Sequence, residues 1–495
     1  MKRKLLNILP VFLCAAALHS CSCLDASGPA KRLLPLQILQ NIYPYYEGLT
    51  YPDEINTEEA VMTGNIFYAD PGHPGASMSN PGTDEEHPWT SLQDVIESGM
   101  IETMEPAVHP YTDRAVMTVK NPGAPVRAGD TIVLKSGHHG DIFIQDYFNS
   151  GYINVIADAG ATASRLHVQS GCRWRFRGLT VRPDTGHTEG YPLVFLESHG
   201  WHGPVYNITI DDCTLYSAAD ASAWSMDDWN SLSCNGIVAY GQRMTIRRNT
   251  LRNVNFGLTI SGNFGLAKGN TIENFAGDGM RGLGNDLFFE YNTARNCYDV
   301  NANHDDGFQS WSINDDPPRE RVVLRGNVII NYSDPAQPFR GALQGIGCFD
   351  GFYINWVIEN NVVITDHWHG ISLYGAINCR IVNNTVIDIN DETPGPPWIA
   401  IVPHGSGIPS RNCLIRNNIA TAITATEGVT ADHNYIIESY SSYGDIFVNP
   451  AAGDLHLQSG APVIDAGAAE SAPLIDIEGK ERPGGNGFDL GAYEY

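Results

Sequence analysis

Positive charge is scarce in this chain: 30 Lys and Arg stand against 56 Asp and Glu, a formal net charge of −26. A nucleic-acid partner needs a basic footprint, so that class is excluded. An acidic substrate would be repelled unless cations are bound locally. Long apolar runs are scarce too. One stands out, "LLNILPVFLCAAAL" at residues 5–18, directly behind the basic "MKRK". Its fourteen residues are too few to span a bilayer, and the pattern reads as a signal peptide over residues 1–23. The run ends in "LHSC", which puts Cys21 where a bacterial lipoprotein carries its lipid, although His19 departs from that motif. The expectation is an exported monomer, either anchored at the cell surface through Cys21 or released, with no other membrane contact.

Paired cysteines are missing as well. Beyond the leader stand Cys172, Cys213, Cys234, Cys297, Cys348, Cys379 and Cys413, an odd set with no CxxC. A cysteine zinc site or a disulfide framework would show tighter spacing. Cys379 and Cys413 share the contexts "NCRIVNNT" and "NCLIRNNI", which suggests equivalent places in successive repeats, packed as small hydrophobes.

Helical periodicity is absent where the repeat is clearest. The strings "IRRNTLRN", "LAKGNTIEN", "FEYNTARN", "LRGNVIIN", "IENNVVIT", "IVNNTVID" and "IRNNIATA" align on Asn249, Asn270, Asn292, Asn327, Asn361, Asn384 and Asn418. Their separations are 21, 22, 35, 34, 23 and 34 residues. A unit of about 22 residues built of short strands and stacked on itself is a parallel β-helix. The chain is therefore read as all-β, a single-stranded right-handed parallel β-helix over residues 60–440, with 441–495 as a C-terminal cap. The asparagines are expected to form an internal ladder at a bend, where Asn tolerates the left-handed conformation.

A second string recurs between the asparagines: "NGIVAYG", "FGLTISG", "DGMRGLG", "DGFQSWS" and "HGISLYG", with "RGALQGIG" a looser copy. If these are equivalent strands, their first residues form one surface column: Asn235, Phe256, Asp278, Asp306, Arg340 and His369. Residues three further on form a second: Val238, Thr259, Arg281, Gln309, Leu343 and Ser372. The early rungs are bland and the later ones charged or titratable. His304, Asp305 and Asp306 enter one rung after Asp278, so three carboxylates meet on adjacent coils. Such a set either holds Ca²⁺, which takes several oxygens, or works as acid and base with pKa values pushed apart. Trp311 and Tyr374 lie two residues beyond the second column, where aromatics suit sugar stacking. His404 is expected to extend the site by one rung.

"GDGMRG" followed by "NCYDVNANHDDGFQSW" resembles the calcium-site region of family 9 polysaccharide lyases, in the pectate-lyase-like superfamily. "NIFYADPG", "NPGTDEEHPWTSLQ" and "AGDTIVLKSG" are similar to the capping region of several β-helix lyases. The resemblance implies a parallel β-helix that cleaves a uronate polysaccharide by Ca²⁺-assisted β-elimination, with Asp278, Asp305 and Asp306 as metal ligands. The family's fourth calcium aspartate falls on the neutral Gln309, and its catalytic lysine has no counterpart in "RGALQGIGCFDG". The base must then come from His369, His304, Arg340 or Arg281, with His369 preferred because imidazole titrates near neutrality. Arg340 would neutralise the uronate carboxylate. An inverting glycoside hydrolase, a uronate C5-epimerase and a non-catalytic glycan-binding surface protein remain as alternatives.

Overall fold

In a computed structural model, residues 51–184, 190–312 and 317–495 are described; the leader and Cys21 lie outside them. Strands stack coil upon coil in parallel register. Two long strands of the first coils, Asp141–Ala157 and Arg165–Arg177, run through a corner and join two faces into one 22-stranded sheet, and a 12-stranded sheet forms the third face. The chain is a parallel β-helix, filled by one continuous stack of buried Ile, Leu, Val and Phe.

The asparagine ladder runs as expected and gains an eighth rung, Asn434. Each Nδ2 donates to the next Oδ1 at 2.9–3.0 Å, from Asn249 through Asn270, Asn292, Asn327, Asn361 and Asn384 to Asn418. Each backbone N–H donates to the same oxygen, for example Asn270 N to Asn292 Oδ1 at 3.0 Å. The left-handed residue at the bend is not the ladder asparagine but the one before it: Arg248, Gly269, Tyr291, Gly326, Asn360, Asn383, Asn417 and His433 all have φ between +48° and +66°. The bend turns at that residue, and the ladder side chain then points inward to satisfy backbone groups that no strand pairs.

The x-Gly string has its own explanation. A Cβ on Gly257 would lie 2.3 Å from Gly279 O, and one on Gly345 2.2 Å from Gly370 O. Successive coils approach so closely at this entry to the strand that only glycine fits. All seven cysteines among the described residues are free and buried, and Cys379 N–H reaches Cys413 Sγ at 3.4 Å on the next coil.

Residues 441–495 were expected to close the end of the solenoid. Their contacts include the side of the last coils. Leu455, Val463, Leu490 and Ala492 share a core with Val362, Ile387 and Ile419. Asn360 and Asn383 donate to Ile475 O and Asp489 O at 2.7 and 3.0 Å. The apolar outer surface of the third sheet is what this segment covers. At the other end Ser91 caps the helix Leu92–Glu97, which buries Leu92, Val95 and Ile96.

Candidate functional site

The face that carries the site is built by the strands Leu258–Ile260, Met280–Gly282, Asp306–Gln309, Gln344–Cys348 and His369–Tyr374. Thr259 pairs with Arg281, Arg281 with Gln309, Gln309 with Gly347, and Gly347 with Ser372. The second column is therefore the expected one with a single correction: Gly347 replaces Leu343. The first column changes at the same rung. Asp306 pairs with Gln344, not with Arg340. "RGALQGIG" offers two x-Gly frames, and the chain uses Gly345, which stacks on Gly370. Arg340 lies four residues earlier, exposed, with its guanidinium 4.7 Å from the Tyr332 ring.

The three carboxylates sit in one another's electrostatic field on adjacent coils, although among the described residues the donor atoms close enough together in threes to share an ion lie elsewhere, at His109, Asp146 and His202. Asp278 is buried, and both its oxygens are engaged: Oδ2 by Arg281 Nε at 2.5 Å, Oδ1 by Asp306 N–H at 3.0 Å. Asp305 accepts from the Cys297 thiol at 3.4 Å through Oδ2, while its Oδ1 is buried without a partner. Asp306 is fully buried; its Oδ2 lies 3.5 Å from His304 Nδ1, and its Oδ1 also lacks a partner. Burial pushes all three carboxyls up, Asp305 to about 7 and Asp306 well above the carboxylate range. The charges of Asp278 and Asp299 add to the rise at Asp305. Two like-charged, desolvated groups with orphaned oxygens are costly unless a proton or a cation completes them. Gly347 closes this site tightly, since a Cβ there would lie 2.0 Å from Asp306 Oδ1.

Around the carboxylates the expected residues divide. Arg281 packs its guanidinium 3.6 Å above the Phe256 ring and 5.6 Å from Trp311. His304 is exposed beside Asp306, which raises its pKa through their hydrogen bond, and Gln309 Nε2 reaches its Nδ1 at 3.5 Å. His369 occupies the first column two coils from Asp306. Its Nδ1 lies 2.9 Å from Ser372 Oγ, which also accepts from Trp398 Nε1 at 3.0 Å. Rings of Phe349, His367 and Trp398 surround it at 4.7, 5.2 and 5.0 Å, and burial lowers its pKa to about 4. Tyr374 meets Phe349 edge-on at 5.2 Å. His404 does not add a rung: it lies beyond the strand Trp398–Val402, buried against Phe352 at 4.6 Å, with Nδ1 on Ser406 Oγ at 2.7 Å.

Three residues of this face escape a reading of the sequence. Gln344 sits between Asp306 and His369 with its Oε1 buried and unpartnered. Phe349 joins Trp311 and Tyr374 in a third, aromatic column. Asp299 adds a fourth carboxylate's field. Fixing the register at Gly345 would have exposed the first two; Asp299, in the irregular stretch after the strand Thr293–Cys297, has no periodic signal.

No protein-family model and no curated protein matches the chain. Solved structures do resemble it. A pectate lyase is 17% identical, with 88% of this chain and 97% of that one covered, at a TM-score of 0.36. The A-module of an Azotobacter vinelandii mannuronan C-5 epimerase is 13% identical, covering 74% and 97%, at 0.38. A rhamnogalacturonan lyase is 12% identical, covering 76% and 90%, at 0.37. The parallel β-helix is shown by the chain's own coil-to-coil strand pairing. Identities this low carry no information about the reaction, and membership of family 9 does not follow from them.

Proposed function

We propose that the protein is an exported carbohydrate-active enzyme that cleaves a uronate-containing polysaccharide by β-elimination. The observation that carries this reading is the stack of buried carboxylates with two orphaned oxygens, on a face lined by Arg281 and the aromatic column Trp311, Phe349 and Tyr374. Ca²⁺ is a hard cation that takes oxygens at about 2.3–2.6 Å, and the two unpartnered carboxylate oxygens are the donors this chain offers it, with the remaining positions left to substrate and water. Asp305 and Asp306 would hold it, and Asp278, already engaged by Arg281 and the Asp306 N–H, would position them. When bound, the ion neutralises the uronate carboxylate and so acidifies the C5 proton.

The chain's own groups do the rest. Arg281 donates its remaining N–H groups to the same carboxylate, the role Arg340 is too far out of register to fill. Ser372 Oγ accepts from Trp398 Nε1 and lies 2.9 Å from His369 Nδ1; in the tautomer whose Nδ1–H donates to that oxygen, the His369 Nε2 lone pair is free to take the C5 proton. Burial lowers the His369 pKa to about 4, so the ring is unprotonated at neutral pH but a weaker base than the near-neutral imidazole the sequence suggested. The C5–H electron pair becomes the C4–C5 double bond, the C4–O bond breaks, and the leaving oxygen takes a proton from solvent. The aromatic column offers ring faces to the sugars.

Inverting hydrolysis, with a protonated Asp306 as general acid, is favoured by the same burial that raises its pKa. Incubation with a panel of uronate polysaccharides separates the readings. Unsaturated ends, seen by ultraviolet absorbance, support elimination; new reducing ends without them support hydrolysis. An altered sugar configuration at constant chain length means epimerisation, and binding without any product leaves a glycan-binding surface.

A further inference from the structure

We infer that the protein holds a second cation, a divalent transition metal of the zinc class, at His109, Asp146 and His202, remote from the carboxylate stack. These residues come from three separate excursions of the chain. His109 lies in the loop between the antiparallel strands Thr103–Pro106 and Met117–Lys120. Asp146 interrupts the long strand Asp141–Ala157 with a left-handed φ of +58°. His202 sits in the turn between the strands Pro192–Glu197 and Val205–Asp211. One donor atom from each lies within 4.8 Å of the others.

The hydrogen bonds make the case for a cation. His109 Nδ1 lies 3.0 Å from Trp201 O, and a carbonyl only accepts, so Nδ1 carries the proton. In the neutral ring the Nε2 lone pair then faces Asp146 Oδ2 at 3.6 Å, acceptor against acceptor. Tetrahedral Zn²⁺, with bonds of about 2.0–2.2 Å, sets its donors roughly 3.3–3.6 Å apart. Asp146 is only 6% exposed, and its Oδ1 has no partner. On the far side, His202 Nδ1 lies 2.8 Å from Asp146 Oδ2 and its Nε2 lies 3.3 Å from the Gln145 amide. His109 thus directs a free nitrogen at the carboxylate and has its other nitrogen fixed by a carbonyl, the second-layer arrangement that orients metal-binding imidazoles; His202 Nδ1–H donates to Asp146 Oδ2 in the ion-free state, and ligation through Nδ1 requires its proton to move to Nε2 and the Gln145 amide to turn its oxygen towards it. Two imidazoles and a carboxylate favour zinc-class ions over calcium, with a fourth position left to water.

This site is independent of the proposed elimination. Register carries Gln145 through Gln169 and Glu197 to Tyr240, and from the same strand Val238 through Thr259 and Arg281 to Gln309, one coil at a time. Six coils at about 4.8 Å put the two sites roughly 29 Å apart. What the metal would do here is tie the hairpin loop carrying His109 to the wall of the first coils.

The test is a Co²⁺ titration of the full mature protein after removal of metals by chelation. One equivalent with visible ligand-field absorption, displaced by Zn²⁺, is expected. His109→Gln and His202→Gln should each abolish the band, whereas Asp306→Asn should keep it. As a measurement on the unaltered protein, Zn²⁺ should protect His109 and His202 from carbethoxylation. Absence of stoichiometric binding, a band that survives the double His109→Gln/His202→Gln change, or histidines equally reactive with and without Zn²⁺ would overturn the inference.

Discussion

Asp305→Asn should make the metal-free protein more stable at high pH, because the site is built at the expense of the fold. Burial and the charges of Asp278 and Asp299 raise the Asp305 carboxyl from the ordinary value to about 7. An acid whose native pKa is raised binds its proton more tightly folded than unfolded. Its contribution is fully present below the unfolded value of about 4 and is lost as pH rises through about 7. A rise of that size, from about 4 to about 7, corresponds to about 4 kcal/mol, an upper figure because water entering the site reduces it. Asparagine has the same shape, keeps an acceptor for the Cys297 thiol and carries no charge. With a chelator present, urea unfolding followed by tryptophan fluorescence should show wild type and variant nearly equal at about pH 4. The variant should pull ahead progressively to about pH 8, by up to the ~4 kcal/mol of linkage. A gap that stays constant with pH, or a variant less stable at high pH, would refute the argument that Asp305 is a desolvated carboxyl awaiting a cation.

Asn292→Ala removes four hydrogen bonds, to Asn270 N and Nδ2, Ala267 O and Asn327 Oδ1, and strands buried donors; denaturant unfolding should report a loss of about 3–5 kcal/mol. Gly347→Ala drives a methyl into Asp306 Oδ1; turnover should fall about 100-fold with a normal circular dichroism spectrum, as expected for displacement of about 1 Å. His369→Ala should abolish turnover while leaving substrate affinity nearly unchanged, checked by single-turnover rates alongside equilibrium binding; retention of the full rate would remove His369 as the base.

The fold was legible because the ladder demands one residue type at one place in every coil. An asparagine both donates to the next side chain and accepts from the previous one, and no substitute keeps that chain unbroken. The left-handed position beside it was misread by one residue because Arg248, Gly269, Tyr291 and Asn360 share only a backbone angle. Asp278, Asp305 and Asp306 were legible as charge appearing on a bland face. Arg340 was misplaced because two glycines, Gly341 and Gly345, each offered a frame, and only coil-to-coil stacking chooses between them. The docking of residues 441–495 along the third sheet, and the meeting of His109, Asp146 and His202, depend on contacts distant in sequence that leave no local pattern.

The most direct test of the central claim is the initial rate of unsaturated-product formation from an unesterified uronate polysaccharide, measured in chelator and again after Ca²⁺ is restored. Absorbance growth should stop with the chelator and return with Ca²⁺, and an Asp306→Asn variant should need far more Ca²⁺ for the same rate. An undiminished rate in chelator, or reducing ends accumulating with no rise in absorbance, would contradict it.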